Sequence, residues 1–456
     1  MKINPSIFKA YDVRGVYPSE INEEAAYLIA KAAVKFLKAK SLVLGRDMRP
    51  SSKPLYSAVL KALKEEGIKI FDVGLSSTPM YMYVINSEKA DGGIVVTASH
   101  NPAKYNGLRM EKKFAASIGE GSGMEEIRDM VLRGDIGKEK PKKTTAAKII
   151  KKDYLKKYVD FLTGKFSPDD FQGLEVAIDA GNGMTGMILP HILKKLKIKY
   201  FPLYFKLDGT FPHHDANPVE PKNLRDLGAL VLKKKSDLGV AFDGDGDRVS
   251  FVDGRGKMVD MDYVSSFLAQ WVLKNHPAEK ILYDFSSSRI VRETIEKNGG
   301  KALLCRTGHS FFRRLIRKEK AYFGCEKSGH CMFREFFYAE AAILTMLYVF
   351  KLVKQSGKKI EDLIAPLKKY FSSFEAIDFK DRKKFSKVVR LLESAYSDAR
   401  LSHLDGLSVE YSDWWFTVRL SNTEPIIRLR IESKSPVILE KKRKEVLEKI
   451  KKAKSP

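Results

Sequence analysis

The run Thr97-Ala98-Ser99-His100-Asn101-Pro102 follows Gly93-Ile94-Val95-Val96, an uncharged stretch ending in β-branched residues. Residues of that kind predict a buried strand. The carboxyl end of such a strand is where open α/β sheets bind ligands. There Ser99 offers a nucleophilic hydroxyl and His100 a donor for an anionic group. Three further segments share this plan. Leu238-Gly239-Val240-Ala241-Phe242 runs into Asp243-Gly244-Asp245-Gly246-Asp247-Arg248. Ala321-Tyr322-Phe323-Gly324 runs into Cys325-Glu326-Lys327-Ser328-Gly329-His330. Trp414-Trp415-Phe416-Thr417-Val418 leads to Arg419-Leu420-Ser421-Asn422-Thr423-Glu424-Pro425.

Asp243, Asp245 and Asp247 alternate with glycines. Three carboxylates this close repel one another unless a cation joins them. The glycines let the backbone bend so that the oxygens converge. An all-oxygen set selects Mg²⁺ or Ca²⁺ over zinc. An EF-hand is excluded, since its loop would want Gly where Arg248 stands and Glu where Gly254 stands. Glu326 and Ser328, two apart on a glycine-bounded loop, can accept from or donate to neighbouring hydroxyls. Arg419, Ser421, Asn422 and Thr423 combine a guanidinium fork, hydroxyls and an amide. That set suits a phosphate held but not transferred. Taken singly, each of these last two segments reads equally well as a polar turn.

Together with Ile7-Phe8-Lys9-Ala10-Tyr11-Asp12-Val13-Arg14-Gly15, the four segments in this order resemble the α-D-phosphohexomutase family, most of all its phosphomannomutase/phosphoglucomutase branch. The likeness covers nearly the whole chain. It implies an α/β fold of four domains around a central cleft. Three similar mixed-sheet α/β domains are expected at 1–144, 145–253 and 254–371, and a smaller α+β domain at 372–456. The resemblance also implies that Ser99 is a phosphoserine whose phosphate oxygen completes the Mg²⁺ coordination begun by the three aspartates. Arg14 and Arg248 then add positive charge around the transferring group, with His100 beside it. Glu326 and Ser328 hold O3 and O4 of a sugar, and His330 contacts the phosphoryl group. Tyr11, Arg419, Ser421, Asn422 and Thr423 hold the other phosphate. The implied activity interconverts hexose 1-phosphate and hexose 6-phosphate, of mannose, glucose or both, with hexose 1,6-bisphosphate as activator. A phosphoglucosamine mutase is the nearest alternative, and its relatives usually carry Gly in place of Asn422. A phosphosugar phosphatase is the other.

The chain departs from the family pattern in four places. Arg109 stands where the family has a lysine that can shuttle protons, and a guanidinium does not readily give one up. His309 is the first choice for the general base, with transfer through water as the alternative. A lysine expected near Asp284 and Ser286 is missing. Cys325 replaces a usual glycine, and Lys327 occupies a position that varies between specificity branches.

These loops need sheets to hold them. A helix over Glu23–Ala39, a strand at Leu42–Gly45, a helix over Ser57–Glu66 and a strand at Ile68–Phe71 predict a mostly parallel sheet with helical crossovers. A helix over Asp153–Leu162 and a strand at Glu175–Ile178 open the next unit. The turn Asp179-Ala180-Gly181-Asn182-Gly183 lacks the P-loop lysine and reads as close backbone packing. The polar stretch 137–143 is expected to be a linker, and Val437–Ala453 an amphipathic helix.

At 456 residues the chain exceeds what one core supports. Its net charge of +25 raises the question of nucleic acid, but the lysines are scattered along helical segments with no recognition motif among them. No nucleic-acid partner is expected, and the positive field favours an anionic small substrate. The apolar run Ala339–Phe350 contains Glu340 and is too short to span a bilayer, so no membrane association is expected. Met1-Lys2-Ile3-Asn4-Pro5 leads into no apolar segment. Three cysteines, Cys305, Cys325 and Cys331, show no metal-ligand spacing. Structural disulfides are therefore not expected, and a cytoplasmic location is. A monomer or weak homodimer is the expected assembly.

Overall fold

Uncharged apolar stretches form the inner strands, and the polar runs after them become tips at the sheet ends. The computed structural model describes residues 3–134, 136, 146–379, 381–421 and 425–454. The first sheet contains β1 (Val13–Val16), β2 (Ser41–Arg46), β3 (Lys69–Leu75), β4 (Gly92–Val96), β5 (Tyr105–Lys112), β6 (Ala116–Ser117) and β7 (Lys148–Ile150). Their order is β1-β5-β4-β2-β3-β7, with β6 beside β5. β2 lies parallel to β3 and β4, as β3 does to β7, whereas β5 is antiparallel to both β4 and β1. The sheet is thus mixed, and its crossovers are the helices Glu23–Leu37, Ser52–Glu65 and Thr78–Ser87. Asn22 and Ser77 cap the first and last of these, accepting from the N–H groups of Ala25 and Met80. β7 lies past the boundary expected at 145 and pairs back onto β3. The stretch 137–143, expected to be a linker, lies outside the described residues.

The second sheet runs β12-β11-β10-β8-β9, from β8 (Glu175–Asp179), β9 (Lys199–Leu203), β10 (Leu238–Phe242), β11 (Val249–Asp253) and β12 (Met258–Val259). The third runs β14-β13-β15-β16-β17, from β13 (Lys280–Asp284), β14 (Lys301–Cys305), β15 (Phe323–Cys325), β16 (Cys331–Phe333) and β17 (Ala339–Glu340). The fourth, β18-β22-β21-β20-β19, is antiparallel throughout and consists of β18 (Phe371–Asp378), β19 (Arg400–Ser402), β20 (Leu407–Glu410), β21 (Trp414–Leu420) and β22 (Ile426–Ser433).

Each polar segment follows a strand that pairs antiparallel with the strand after it. Val96 faces Leu108, Phe242 faces Val249, Cys325 faces Cys331 and Leu420 faces Ile427. A tip of this kind is fixed at both ends, which an open strand-to-helix loop is not. One apolar core runs continuously from Val43 and Phe71 through Val176 and Phe251 to Phe323 and Leu347, so the first three sheets share it. The fourth has its own, around Val388, Phe416, Ile431 and Ile450.

Two expectations change. The run from Ala339 is buried as expected but opens with β17 before the helix Ala342–Ser356. Among the described residues no helix is long and apolar enough to cross a membrane. The expected absence of disulfides fails: Cys325 and Cys331 are bonded, while Cys305 is free and buried. The two are directly opposite on antiparallel strands with Cα atoms 4.1 Å apart, a proximity that a spacing of six residues does not reveal.

Candidate active site

Ser99 is buried and held at φ 50, in the left-handed region that a serine enters at a cost of about 1–3 kcal/mol. Its N–H donates to Thr97 Oγ1 at 2.9 Å and its Oγ to Asp243 Oδ2 at 2.8 Å, with His100 Nδ1 3.3 Å away. Arg49, fully buried, enforces this bend. It donates to the carbonyls of Ser99 (2.9 Å), Asn101 (2.6 Å), Pro102 (2.8 Å) and Tyr105 (3.1 Å), and its Nε to Asp47 at 3.2 Å. Arg14 adds bonds to the Ala98 carbonyl at 3.2 Å and Asn101 Oδ1 at 2.5 Å. Arg49 was missed by the sequence reading, although Arg46-Asp47-Met48-Arg49 leaves β2 at its carboxyl end, as the other polar segments leave their strands.

The aspartates of the β10–β11 tip converge. Asp243, Asp245 and Asp247 are buried, each with a carboxylate oxygen within 4.8 Å of the others. Thr78 donates to Asp245 and Arg109 to Asp247, yet Oδ1 of Asp245 and Oδ1 of Asp247 are buried without a hydrogen-bond partner. Burial first, and then the Asp247 and Asp245 charges, push the pKa of Asp243 well above its ordinary value. The orphaned Oδ1 of Asp245 and a strained anionic cluster beside a hydroxyl fit a hard divalent cation. The tip requires glycine here, because a Cβ on Gly244 would sit 2.6 Å from the Ser99 carbonyl oxygen.

The β15–β16 tip faces this cluster. His330 Nδ1 lies 2.9 Å from Ser328 Oγ and 3.3 Å from Glu326 Oε2, and Arg248 Nε is 3.1 Å from its Nε2. Burial lowers the pKa of His330, but the Asp247 carboxylate 3.4 Å away and Glu326 at the other nitrogen together outweigh it and raise the value to about 9. Glu326 Oε1 accepts from the Gly308 N–H at 2.7 Å. Asp284 secures the tip's backbone, accepting from the N–H groups of Lys327 at 2.8 Å and Ser286 at 2.5 Å. Lys327 Nζ binds Asp260 at 2.7 Å and Asp262 at 3.0 Å, and Asp262 also binds Arg430 of β22 at 2.8 Å. Gly329 has φ +89, and a Cβ there would lie 2.5 Å from the Val249 carbonyl, so the two tips touch through it.

Arg109 projects from β5 into the same interior, and its Nη2 is 3.4 Å from His309 Nδ1. The ring of Tyr11 packs on His309 at 5.2 Å between centroids, and its hydroxyl donates to the Thr307 carbonyl at 3.1 Å. The fourth sheet joins through Asp405, which accepts from the Thr307 N–H at 3.1 Å and stands 3.8 Å from Arg419 Nη1. Ser421 is buried and its carbonyl accepts from Arg382 at 2.8 Å. Asn422 and Thr423 lie outside the described residues. The structure thus gathers Ser99, His100, Arg14, the three aspartates, Arg248, Glu326, Ser328 and His330 into one cluster, with Arg109, His309 and Tyr11 on its flank. Arg419 reaches it through Asp405 and Thr307.

Four family models match the chain in order, described as phosphoglucomutase/phosphomannomutase alpha/beta/alpha domains I (residues 5–136), II (156–256) and III (260–370) and the C-terminal domain (376–449). The chain is 34% identical over 435 residues to a protein named phosphohexose mutases from Xanthomonas campestris pv. campestris, covering 95% of this chain and 96% of that one. It is 33% identical over 446 residues to the phosphomannomutase/phosphoglucomutase of Pseudomonas putida, covering 96% and 93%. A crystal structure of a phosphoglucomutase/phosphomannomutase family protein from Burkholderia thailandensis superposes with a TM-score of 0.90 at 28% identity, covering 99% of this chain and 98% of that one.

Alkylation of the denatured, unreduced protein is expected to label Cys305 alone, and all three cysteines after reduction. Three labels without reduction would remove the Cys325–Cys331 bond. Burial and then the Glu326 charge push Asp284 from its ordinary 3.8 up to about 7. Between those values the folded chain binds a proton that the unfolded chain does not. Its contribution is therefore full below about pH 4 and is lost as pH rises through about 7. In Asp284→Asn the denaturation midpoint should fall less steeply across that window than in the wild type, and an identical slope would contradict the assignment.

Proposed function

Because the chain belongs to the phosphoglucomutase/phosphomannomutase family, we propose that it interconverts hexose 1-phosphate and hexose 6-phosphate, of mannose, glucose or both, by phosphoryl transfer through Ser99. The observation that carries this reading is the Ser99 hydroxyl 2.8 Å from Asp243, on a bend that Arg49 enforces, beside the unpartnered Oδ1 of Asp245. Asp243, Asp245 and Asp247, with an oxygen on Ser99, would hold Mg²⁺. When bound, that ion neutralises charge on the transferring group without proton transfer.

Phosphorylated at Oγ, Ser99 gives its phosphoryl group to the free hydroxyl of a hexose monophosphate. The O–P bond to Ser99 breaks as the bond to the sugar oxygen forms, and the sugar proton passes to a base. His309 fits that role. Burial and the neighbouring Arg109 charge hold its pKa well below the ordinary value, so it rests unprotonated with a free lone pair, at a cost in basicity. Arg109 stays charged and positions. The sugar bisphosphate then turns over, and its other phosphoryl group returns to Ser99. Glu326 and Ser328 grip O3 and O4, the pair of hydroxyls that keeps its place in both orientations. Arg14, His100, Arg248 and His330 surround the transferring group, and Tyr11, Arg419 and Ser421 are assigned to the other phosphate, together with Asn422 and Thr423 of the same sequence segment. Since phosphoryl transfer passes through a loose transition state, alignment and fixed charge supply most of the acceleration. Hexose 1,6-bisphosphate acts as activator by restoring phosphate to Ser99. All of these groups come from one chain, in keeping with a monomer or weak homodimer. A cytoplasmic location fits a phosphosugar substrate, although the disulfide removes cysteine usage as an argument for it.

With Mg²⁺ and a trace of glucose 1,6-bisphosphate, mannose 1-phosphate or glucose 1-phosphate should yield the 6-phosphate with no net phosphate release, and intact mass should show one phosphate on Ser99. Ser99→Ala should abolish turnover. Phosphate as the main product, or an active Ser99→Ala protein, would defeat the proposal. His309→Ala should lower kcat by roughly a hundredfold to ten-thousandfold, the range of a lost proton-transfer group, with Mg²⁺ affinity unchanged.

A further inference from the structure

The three aspartates of the β10–β11 tip are held in three different ways. Asp243 is fixed by its own loop and by Ser99: Oδ1 accepts from the N–H groups of Asp247 at 3.0 Å and Arg248 at 3.1 Å, and Oδ2 from Ser99 Oγ at 2.8 Å. Asp247 has Arg109 on Oδ2 and His330 Nε2 3.4 Å from Oδ1. Asp245 differs from both. Its Oδ2 accepts from the Thr78 hydroxyl, while its Oδ1 is buried with no hydrogen-bond partner.

Thr78 is buried at the first position of the helix Thr78–Ser87, which belongs to the first sheet's crossovers. The first N–H groups of a helix have no partner within it. Ser77, the cap, accepts from the Met80 N–H at 3.2 Å, and Pro79 has no N–H to satisfy. The Thr78 N–H is left over, and it donates to the Asp245 carbonyl at 2.9 Å. Main chain and side chain of one threonine thus grip main chain and side chain of one aspartate. Gly246, at φ +74, lets the tip come this close, since a Cβ there would lie 2.7 Å from Thr185 Cγ2 and 3.5 Å from Ser77 Cβ. The direction of the side-chain bond is fixed: a hydroxyl donates or accepts, whereas an ionised carboxylate only accepts.

This grip decides how many oxygens Asp245 can offer. With Oδ2 committed to Thr78, only Oδ1 is left for an ion. Mg²⁺ demands a near-ideal octahedron at short range, which a carboxylate bound through both oxygens would distort. Ca²⁺ takes about six to eight oxygens in looser geometry and accepts such two-oxygen ligation. We propose that Thr78 is a positioning residue for the metal, confining Asp245 to one-oxygen ligation and so tilting the site toward Mg²⁺ over Ca²⁺. The proposal rests on reading the three aspartates as a divalent-cation site. Thr78 touches no substrate in this arrangement and acts only through Asp245.

The test titrates Mg²⁺ alone and Ca²⁺ alone into the full chain by calorimetry, with wild type and variants matched by intact mass for phosphate on Ser99. Thr78→Val removes the hydroxyl at nearly constant volume and keeps the N–H. It should weaken Mg²⁺ binding by about tenfold to a hundredfold, as loss of a hydrogen bond to a ligating carboxylate does. Ca²⁺ binding should weaken less, so the ratio of the two dissociation constants should move toward Ca²⁺ by about tenfold. Thr78→Ser keeps the hydroxyl and should retain the wild-type ratio, and Thr78→Ala should reproduce the shift without a branched side chain at the helix start. In turnover of glucose 1-phosphate, the rate that Thr78→Val loses at low Mg²⁺ should return as Mg²⁺ is raised. Equal weakening of both ions, or a rate that no Mg²⁺ concentration restores, would mark Thr78 as structural only and overturn the proposal. Unchanged Mg²⁺ affinity in both Thr78→Val and Thr78→Ala would overturn it too, and would leave the metal site standing. If the wild-type chain bound neither ion, the metal site itself would fail and the proposal with it.

Discussion

A hydroxyl and a carboxylate 144 residues apart, Ser99 and Asp243, touch in the interior, and most of the architecture serves to keep them there. Neither tip could hold that position alone. Ser99 needs a left-handed backbone that its side chain disfavours, and Arg49 supplies the compensation by gathering four carbonyls around one guanidinium. Asp243 sits among like charges, and its loop approaches the Ser99 carbonyl so closely that only glycine fits at 244. The shared core of the first three sheets makes the approach rigid. The cluster behaves as part of one solid body and not as a meeting of flexible loops.

Buried charge is the second constraint. Arg109 takes three carboxylates, Glu111, Asp247 and Glu340, from three separate stretches of chain. A lysine offers a point charge, whereas a guanidinium offers a planar fork that can serve several acceptors at once. Against the lysine expected here from the family resemblance, arginine gives up a group that can release a proton for one that binds the sheets together. Proton transfer then falls to a neighbour. His309, 3.4 Å from that arginine, is the neighbour proposed for it.

How legible was this in the sequence? The strands were, because Gly93–Val96, Leu238–Phe242 and Trp414–Val418 are apolar runs bounded by turn residues, and they appear as β4, β10 and β21. The aspartate cluster was legible too, since alternating glycines and carboxylates have few other uses. What stayed hidden was pairing. Nothing local says that the strand after each tip returns antiparallel, so neither the fixed geometry of the tips nor the Cys325–Cys331 bond could be inferred. The same blindness covers Arg49, Glu111 and Glu340. Each looks like an ordinary surface charge in the sequence, and each becomes singular only once long-range packing buries it with a partner.

The fourth sheet follows a different rule. It has a separate core and meets the third sheet through polar contacts: Glu432 accepts from Ser288 Oγ at 2.7 Å and from the Arg289 N–H at 3.0 Å, and Arg430 binds Asp262 at 2.8 Å. Asp262 also binds Lys327 at the centre of the β15–β16 tip. A seam built from ion pairs and hydrogen bonds is the kind across which domains shift at modest cost, unlike a shared apolar core. An intermediate that must present each end in turn to one serine cannot be enclosed by rigid walls on every side. Placing the segment proposed to hold the far phosphate on the sheet outside the common core, and tying that sheet to the proposed sugar-binding tip through Lys327, Asp262 and Arg430, meets both demands. The reacting atoms stay fixed, and the grip on the far phosphate can yield without disturbing them.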